Sequence, residues 1–245
     1  MITFKQFVTE DAASVSPAEA AKYVAKNCQQ FLKETNFHIS HSFVHFVHAK
    51  IVSPSLYRGM QHLSRTNGYI LSGQRSRNPV DSSKEITDTL DTYFKQHFGY
   101  PYRQGVFCCG DRRAASHYGD VFMIFPTDGY NSIWSDDILD AYTSLDQKKD
   151  VDFPLLAQRV CLNMEVENPF TQDIPIEDAW EKWYVIVYSW LQEFHPYVDG
   201  NIVGGIKSPS IPEIMLRCKS YVAIPIENAY HSEFVEAMLE ITKDA

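Results

Sequence analysis

The chain has 245 residues, 44% of them hydrophobic and 22% charged, with a formal net charge of −9. That is the composition of a globular protein with a sizeable core, and its negative charge excludes non-specific nucleic-acid binding by the whole surface. No apolar run approaches the roughly 18 residues of a membrane span. The N-terminal Met1-Ile2-Thr3-Phe4-Lys5 lacks the apolar stretch of a signal peptide. A cytoplasmic protein is therefore expected. Cys28, Cys108, Cys109, Cys161 and Cys218 form no C-x-x-C pair. Reduced, mostly buried thiols are expected rather than a disulfide framework or a thiolate zinc site.

Residues 1–50 read as a largely helical N-terminal part. Ser16-Pro17-Ala18-Glu19 carries an N-cap serine, a proline at the first helical position and a capping-box glutamate. Ala21, Val24, Ala25, Cys28, Phe31 and Leu32 follow on one helical face, and Asn36 is a natural end. His38, His41, His45 and His48 fall on one stripe if that stretch is helical. Two histidines four apart, His41 and His45, suit one metal ion. No carboxylate or cysteine lies between His38 and His48, however, so an amphipathic helix with a polar face is the preferred reading and no metal is expected.

Ile51-Val52 and Ser55 to Arg58 read as a short strand broken by Pro54, and Gln74 to Pro79 as a basic loop. Asp81 to Glu85 caps a helix running to about Phe98, with Gly99 as its stop. Gly105 to Cys109 is a strand candidate, Asp111 to Tyr118 one or two helical turns, and Val121 to Pro126 a strand buried on both faces. Trp134 to Asp140 reads as a helix start, Gln158 to Val166 as a strand, and Ile176 to about Phe194 as a core-packed helix. Val198 to Ser210, with Gly200, Gly204, Gly205 and Pro209, reads as a loop. Glu213 to Cys218 and Tyr221 to Pro225 are strand candidates, and Ser232 to Ile241 is a closing helix. A single α+β domain covering residues 1–245 follows.

The charge is uneven. Residues 50–119 hold ten Lys/Arg (Lys50, Arg58, Arg65, Arg75, Arg77, Lys84, Lys95, Arg103, Arg112, Arg113) against five acids (Asp81, Glu85, Asp88, Asp91, Asp111). Either an anionic ligand is drawn to this region or the excess is spread over separate surfaces. Within it, the strand ending in Arg58-Gly59 offers a permanent cation and a backbone open to close approach. Phe107 and Tyr118, with ten residues between them, offer two ring surfaces to a planar ligand. Glu213 opens a strand and offers an anion to a developing positive charge. The plainer readings are a surface ion-pair arginine, two core aromatics and a solvated carboxylate.

Together these segments resemble the ADP-ribosyltransferase superfamily. Leu56-Tyr57-Arg58-Gly59 is similar to the first motif of the arginine-type transferases. Gly105-Val106-Phe107 through Tyr118 is similar to the second motif of the poly-ADP-ribose polymerase and diphtheria-toxin branch, and Glu213-Ile214-Met215-Leu216 to the third, in which a catalytic Glu starts an apolar strand. The resemblance covers roughly residues 50–225. It implies a split pair of antiparallel sheets, the core spanning 51–245, with NAD as substrate. It also implies a macromolecular acceptor, protein or nucleic acid, and a toxin-like effector role that extends to a bacteriophage member. Arg58 would contact an NAD phosphate or ribose, and the Gly59 backbone would hold the nicotinamide amide. Phe107 and Tyr118 would flank the nicotinamide ring, with Tyr57, Cys108 and Ser116 completing the contacts. Arg75 and Arg77 would reach a phosphate of NAD or of the acceptor, or else belong to a solvated loop. Glu213 would bond the ribose 2′-hydroxyl and stabilise the oxocarbenium ion as nicotinamide leaves.

The chain departs from the pattern in places. Ala115 stands where a serine usually binds the nicotinamide amide, with Ser116 one position late. Cys108 or Cys109 occupies the serine position of the arginine-type second motif. Ile211 stands two residues before Glu213, where arginine-modifying members carry Glu or Gln; an acceptor other than arginine is expected. Two alternatives remain in view, a non-catalytic nucleotide- or partner-binding module on the same fold and a histidine-ligated metalloprotein.

Overall fold

The computed structural model describes residues 12–41, 49–61, 63–73, 83–141, 144–145, 153–226 and 228–243. In chain order these give β1 (Ala13–Val15), α1 (Pro17–Asn27), α2 (Gln29–Glu34), β2 (Ile39–His41), β3 (Ala49–Ile51), β4 (Leu56–Met60) and β5 (Gly68–Ser72). Next come α3 (Lys84–Phe98), β6 (Val106–Cys108), α4 (Arg112–Ser116), β7 (Asp120–Pro126), β8 (Asn131–Trp134), α5 (Phe153–Asn163) and α6 (Ile176–Phe194). The chain closes with β9 (Val198–Asp199), α7 (Ile202–Lys207), β10 (Ile214–Arg217), β11 (Ser220–Pro225) and α8 (Ala229–Lys243). The fold is α+β, and the chain divides into two compact units, each assembled from separate stretches of sequence.

The first unit comprises Met1–Arg75, Cys108–Asn131 and Cys218–Ala245. Its sheet runs β1-β5-β11-β7-β4, and every pairing in it is antiparallel. β7 and β11 lie in its interior and carry near-continuous apolar runs, Phe122 to Phe125 and Tyr221 to Ile224, all buried. A strand covered on both faces needs no polar alternation. α1 packs along α8, and α8 packs onto β11; Phe31 and Phe234 each meet Phe125 ring to ring. α1 begins as read from sequence, with a full capping box between Ser16 and Glu19.

The second unit comprises Ser76–Phe107 and Ser132–Arg217. Its sheet runs β6-β10-β8-β9. α3 and α5 pack against α6, whose Trp183, Val187, Trp190 and Leu191 form the centre of an aromatic core. Trp183 is fully buried and its indole N–H donates to the Leu145 carbonyl at 3.1 Å. α3 opens on the Ser83 cap and closes on Gly99 in the left-handed conformation.

Several sequence expectations are corrected here. The stretch around His38 is not helical where it is described: Ile39–His41 pairs with Ala49–Ile51 as a hairpin. His45 and His48 lie outside the described residues, as does the basic loop with Arg75 and Arg77. The N-terminal part holds α1 and α2 but also three strands. Gln158 to Val166 is not a strand; it begins within α5. Trp134 to Asp140 is not itself helical, because the Ser135 hydroxyl takes the N–H groups of Asp137 and Ile138 and ends β8 in a turn; helical structure begins only at Ala141, where the Asp140 carbonyl accepts the Ser144 N–H at 2.9 Å. Val198 to Ser210 contains β9 and α7. α7 forms because Asn201 caps it and because Gly205 sits under the Trp134 ring, where an added Cβ would come within 2.9 Å.

Replacing the buried indole tests the core assignment. Trp183→Ala is expected to lower unfolding stability by about 3–5 kcal/mol, read from a denaturant midpoint.

Candidate functional site

The first unit carries the Arg-Gly strand. β4 is an edge strand, paired with β7 on one side. On its other side Tyr57 exchanges both backbone hydrogen bonds with Cys109, at 2.8 and 3.0 Å. Antiparallel partners alternate between bonded and non-bonded pairs. Tyr57 therefore turns its N–H and C=O away from β7, and so does Gly59 two residues later. The Gly59 backbone thus faces the outer edge of the strand.

Gly59 is required by packing as well. A Cβ built there would collide with the Ala115 carbonyl oxygen and lie 2.8 Å from the Tyr118 backbone carbon and Cβ. α4, capped by Asp111 through a 2.7 Å bond from the Ala114 N–H, ends directly on β4. The turn that follows sets Tyr118, 56% exposed, beside the Arg-Gly strand. Ala115 is buried, whereas Ser116 is exposed and spends its hydroxyl proton on the Arg113 carbonyl at 2.7 Å.

Arg58 takes the opposite strand face, with Leu56 and Met60, both buried. One guanidinium nitrogen, Nη1, is buried and has no hydrogen-bond partner among the described residues. Leaving such a donor unmatched costs about 1–3 kcal/mol. Burial pushes the nearby Cys218 thiol up to about 12, while Arg58 pulls it the other way. None of the five cysteines is in a disulfide; Cys108 is buried and Cys109 half-buried, with its thiol directed to the Asp111 carbonyl.

The second unit carries Glu213 at the foot of β10. Its backbone N–H donates to the Leu139 carbonyl at 2.7 Å, and its Oε2 accepts from Arg103 Nη1 at 2.9 Å. The two side chains are only 11% (Arg103) and 19% (Glu213) exposed, so water screens the pair weakly. The same guanidinium covers the Phe107 ring on β6, 4.7 Å from its centroid. Arg103 lies in a 3-10 turn, Tyr102–Gln104, held by its N–H to Asp91 Oδ1 on α3 at 2.9 Å. Burial pushes the Asp91 carboxyl up to about 6, against the opposing pull of the Arg103 N–H and charge.

The segment before Glu213 is pinned and strained. The Ser208 and Ser210 hydroxyls both donate to Asp136 and hold its carboxyl below the usual range. Ile211 adopts φ 55°, a left-handed conformation that a β-branched residue avoids, at a cost of about 1–3 kcal/mol. Its side chain is exposed.

The predicted residues thus gather within each unit, Tyr57, Arg58, Gly59, Ser116 and Tyr118 in one and Phe107 and Glu213 in the other. Cys108 is buried at the end of β6. The described cations of residues 50–119 fall in both units, and Arg65 and Lys84 are paired with Asp120 and Asp88. Sequence reasoning missed Arg103 and Asp91, whose partners are distant in the chain. Among the described residues no cluster of three or more His, Cys, Asp or Glu is arranged to hold a metal, and no helix is long and apolar enough to cross a membrane. Comparison with protein-family models, curated proteins and solved structures found no match to this chain.

Asp91 gives a pH signature. Its proton leaves the unfolded chain near the ordinary 3.8 and the folded chain at about 6. Between those values the fold keeps a proton that the unfolded chain has lost, so stability falls as pH rises through the window. Asp91→Asn removes that loss. Its unfolding midpoint is expected to gain on wild type as pH rises from about 4 to about 7, and parallel curves would refute the assignment.

Proposed function

We propose that the chain is an NAD-dependent ADP-ribosyltransferase. The observation that carries the reading is the close approach of Tyr118 to Gly59. It joins the first two sequence motifs in three dimensions through a glycine that no other residue can replace without displacement. The outward-facing Gly59 backbone suits an amide, and the unmatched, buried Nη1 of Arg58 suits an anionic oxygen. In the other unit, the strand that Glu213 opens lies beside the strand of Phe107. The chain passes repeatedly between two sheets, with β4, β7 and β11 in one and β6, β8 and β10 in the other. This supports the split-sheet architecture that the resemblance implies.

In this reading Arg58 binds a phosphate or ribose oxygen of NAD and Tyr118 offers its ring to the nicotinamide, while Phe107 offers a ring within its own unit. The bond from the ribose anomeric carbon to nicotinamide breaks, and its electron pair leaves with the nicotinamide nitrogen. Glu213 bonds the 2′-hydroxyl and offsets the positive charge on the ribose. An acceptor nucleophile attacks the anomeric carbon and releases a proton to solvent. The acceptor is a macromolecule, protein or nucleic acid. The exposed Ile211 offers no carboxylate or amide to a guanidinium, which disfavours arginine.

One observation favours a second reading, a binding module without turnover: Arg103 sets a cation against the carboxylate that would face the oxocarbenium ion. Nicotinamide release from NAD separates the two. Because Glu213 acts mainly on the transition state, Glu213→Gln is expected to lower turnover by about 10²–10³-fold with NAD affinity little changed. Equal and negligible release by wild type and variant, with NAD bound by both, would favour the module.

A further inference from the structure

We propose that Arg103 is the positioning residue of the candidate site: one guanidinium holds the Glu213 carboxylate at the foot of β10 and covers the Phe107 ring on β6. This role rests on the transferase reading, but Arg103 lies outside all three motifs that suggested it. The geometry is specific. Nη1 reaches Glu213 Oε2 at 2.9 Å while the guanidinium carbon sits 4.7 Å from the Phe107 centroid. A planar cation does both at once, bonding through its edge and covering a ring with its face. A lysine cannot: it offers one charge and no plane.

The arrangement is anchored from behind. Asp91 accepts the Arg103 N–H and a bond from the Gln104 side chain, fixing the turn on α3. The Glu213 N–H is tied to Leu139. Carboxylate and ring are thereby aligned before any ligand arrives, and pre-alignment is what a reacting ribose and its leaving group need. The charge has a second effect. A cation beside a carboxylate favours its ionised form, which is the form that can offset an oxocarbenium ion. Among the described residues, buried Tyr197 senses both Arg103 and Glu213 and is acted on by Tyr93 and Asp140, and Asp91 lies behind the Arg103 turn.

The experiment compares wild type, Arg103→Lys and Arg103→Met in nicotinamide release across pH. Arg103→Met is expected to move the acid limb of turnover to higher pH and to lower kcat on the plateau by about tenfold or more. Arg103→Lys, which keeps the charge and loses the plane, is expected to keep the acid limb and lose plateau kcat. Should Arg103→Met fail to fold, Arg103→Lys decides alone: unchanged plateau and limb overturn the proposal. A uniform loss in Arg103→Met with an unmoved limb likewise overturns it, marking Arg103 as merely structural. If wild type releases no nicotinamide, the transferase reading fails separately. The pairing is then read without turnover, by NMR titration of the Glu213 carboxyl carbon in the full chain. A titration that is the same in wild type and Arg103→Lys but moved upward in Arg103→Met upholds the hold on Glu213; one unmoved in Arg103→Met overturns it.

Discussion

A side chain at position 59 would have nowhere to go, and much of the first unit follows from that. The end of α4 presses its Ala115 carbonyl and the Tyr118 backbone onto β4 at this point. α4 is too short to hold its own position: five residues fall far below the length at which a helix is stable alone. Contact with β4, the Asp111 cap and the Cys109–Tyr57 bridge fix it instead. The bridge also sets which backbone groups of β4 face outward, and the strand alternation sends Arg58 to the opposite face. One missing Cβ thus couples the placement of a ring, a backbone amide and a cation.

The second unit presents an opposing arrangement of charge. Glu213 is mostly buried, and its carboxylate needs a partner to remain ionised there. Arg103 supplies it, yet the same cation weakens the field that a carboxylate could exert on a positively charged ribose. The cation–π contact with Phe107 and the backbone tie to Asp91 show that Arg103 is held for more than charge neutralisation. The strained Ile211 and the clip of Ser208 and Ser210 on Asp136 hold the preceding loop in a defined course.

Local signals were legible in the sequence. The Ser16 capping box and the Gly99 stop each involve atoms within four residues and form as read, and the cap expected within Asp81 to Glu85 falls to Ser83. The apolar face of α6 repeats over five turns and left no ambiguity. The expectations that failed depended on window or on tertiary context. Phe153, Leu156, Ala157, Val160 and Cys161 give α5 a clear helical period, but a window opened at Gln158 shows only its fraying end. The glycines of α7 read as a loop until Trp134 is seen to require one of them. The spacing of the histidines after Phe37 mimics a helix, while the hairpin register between Ile39 and Ile51 is set by pairing across the intervening chain. Arg58-Gly59, Phe107, Tyr118 and Glu213 were legible only as residue types in order. The Arg103–Glu213 pair, 110 residues apart, left no trace in any local pattern.

The proposed transferase activity requires that the chain bind NAD, with Arg58 contributing to binding and Glu213 to the transition state. Calorimetric titration with NAD tests it most directly. The account predicts saturable binding that Glu213→Gln leaves nearly intact and that Arg58→Ala weakens by about tenfold or more, as loss of a charge-assisted contact requires. An absence of NAD binding in wild type, or binding indifferent to Arg58→Ala, would contradict it.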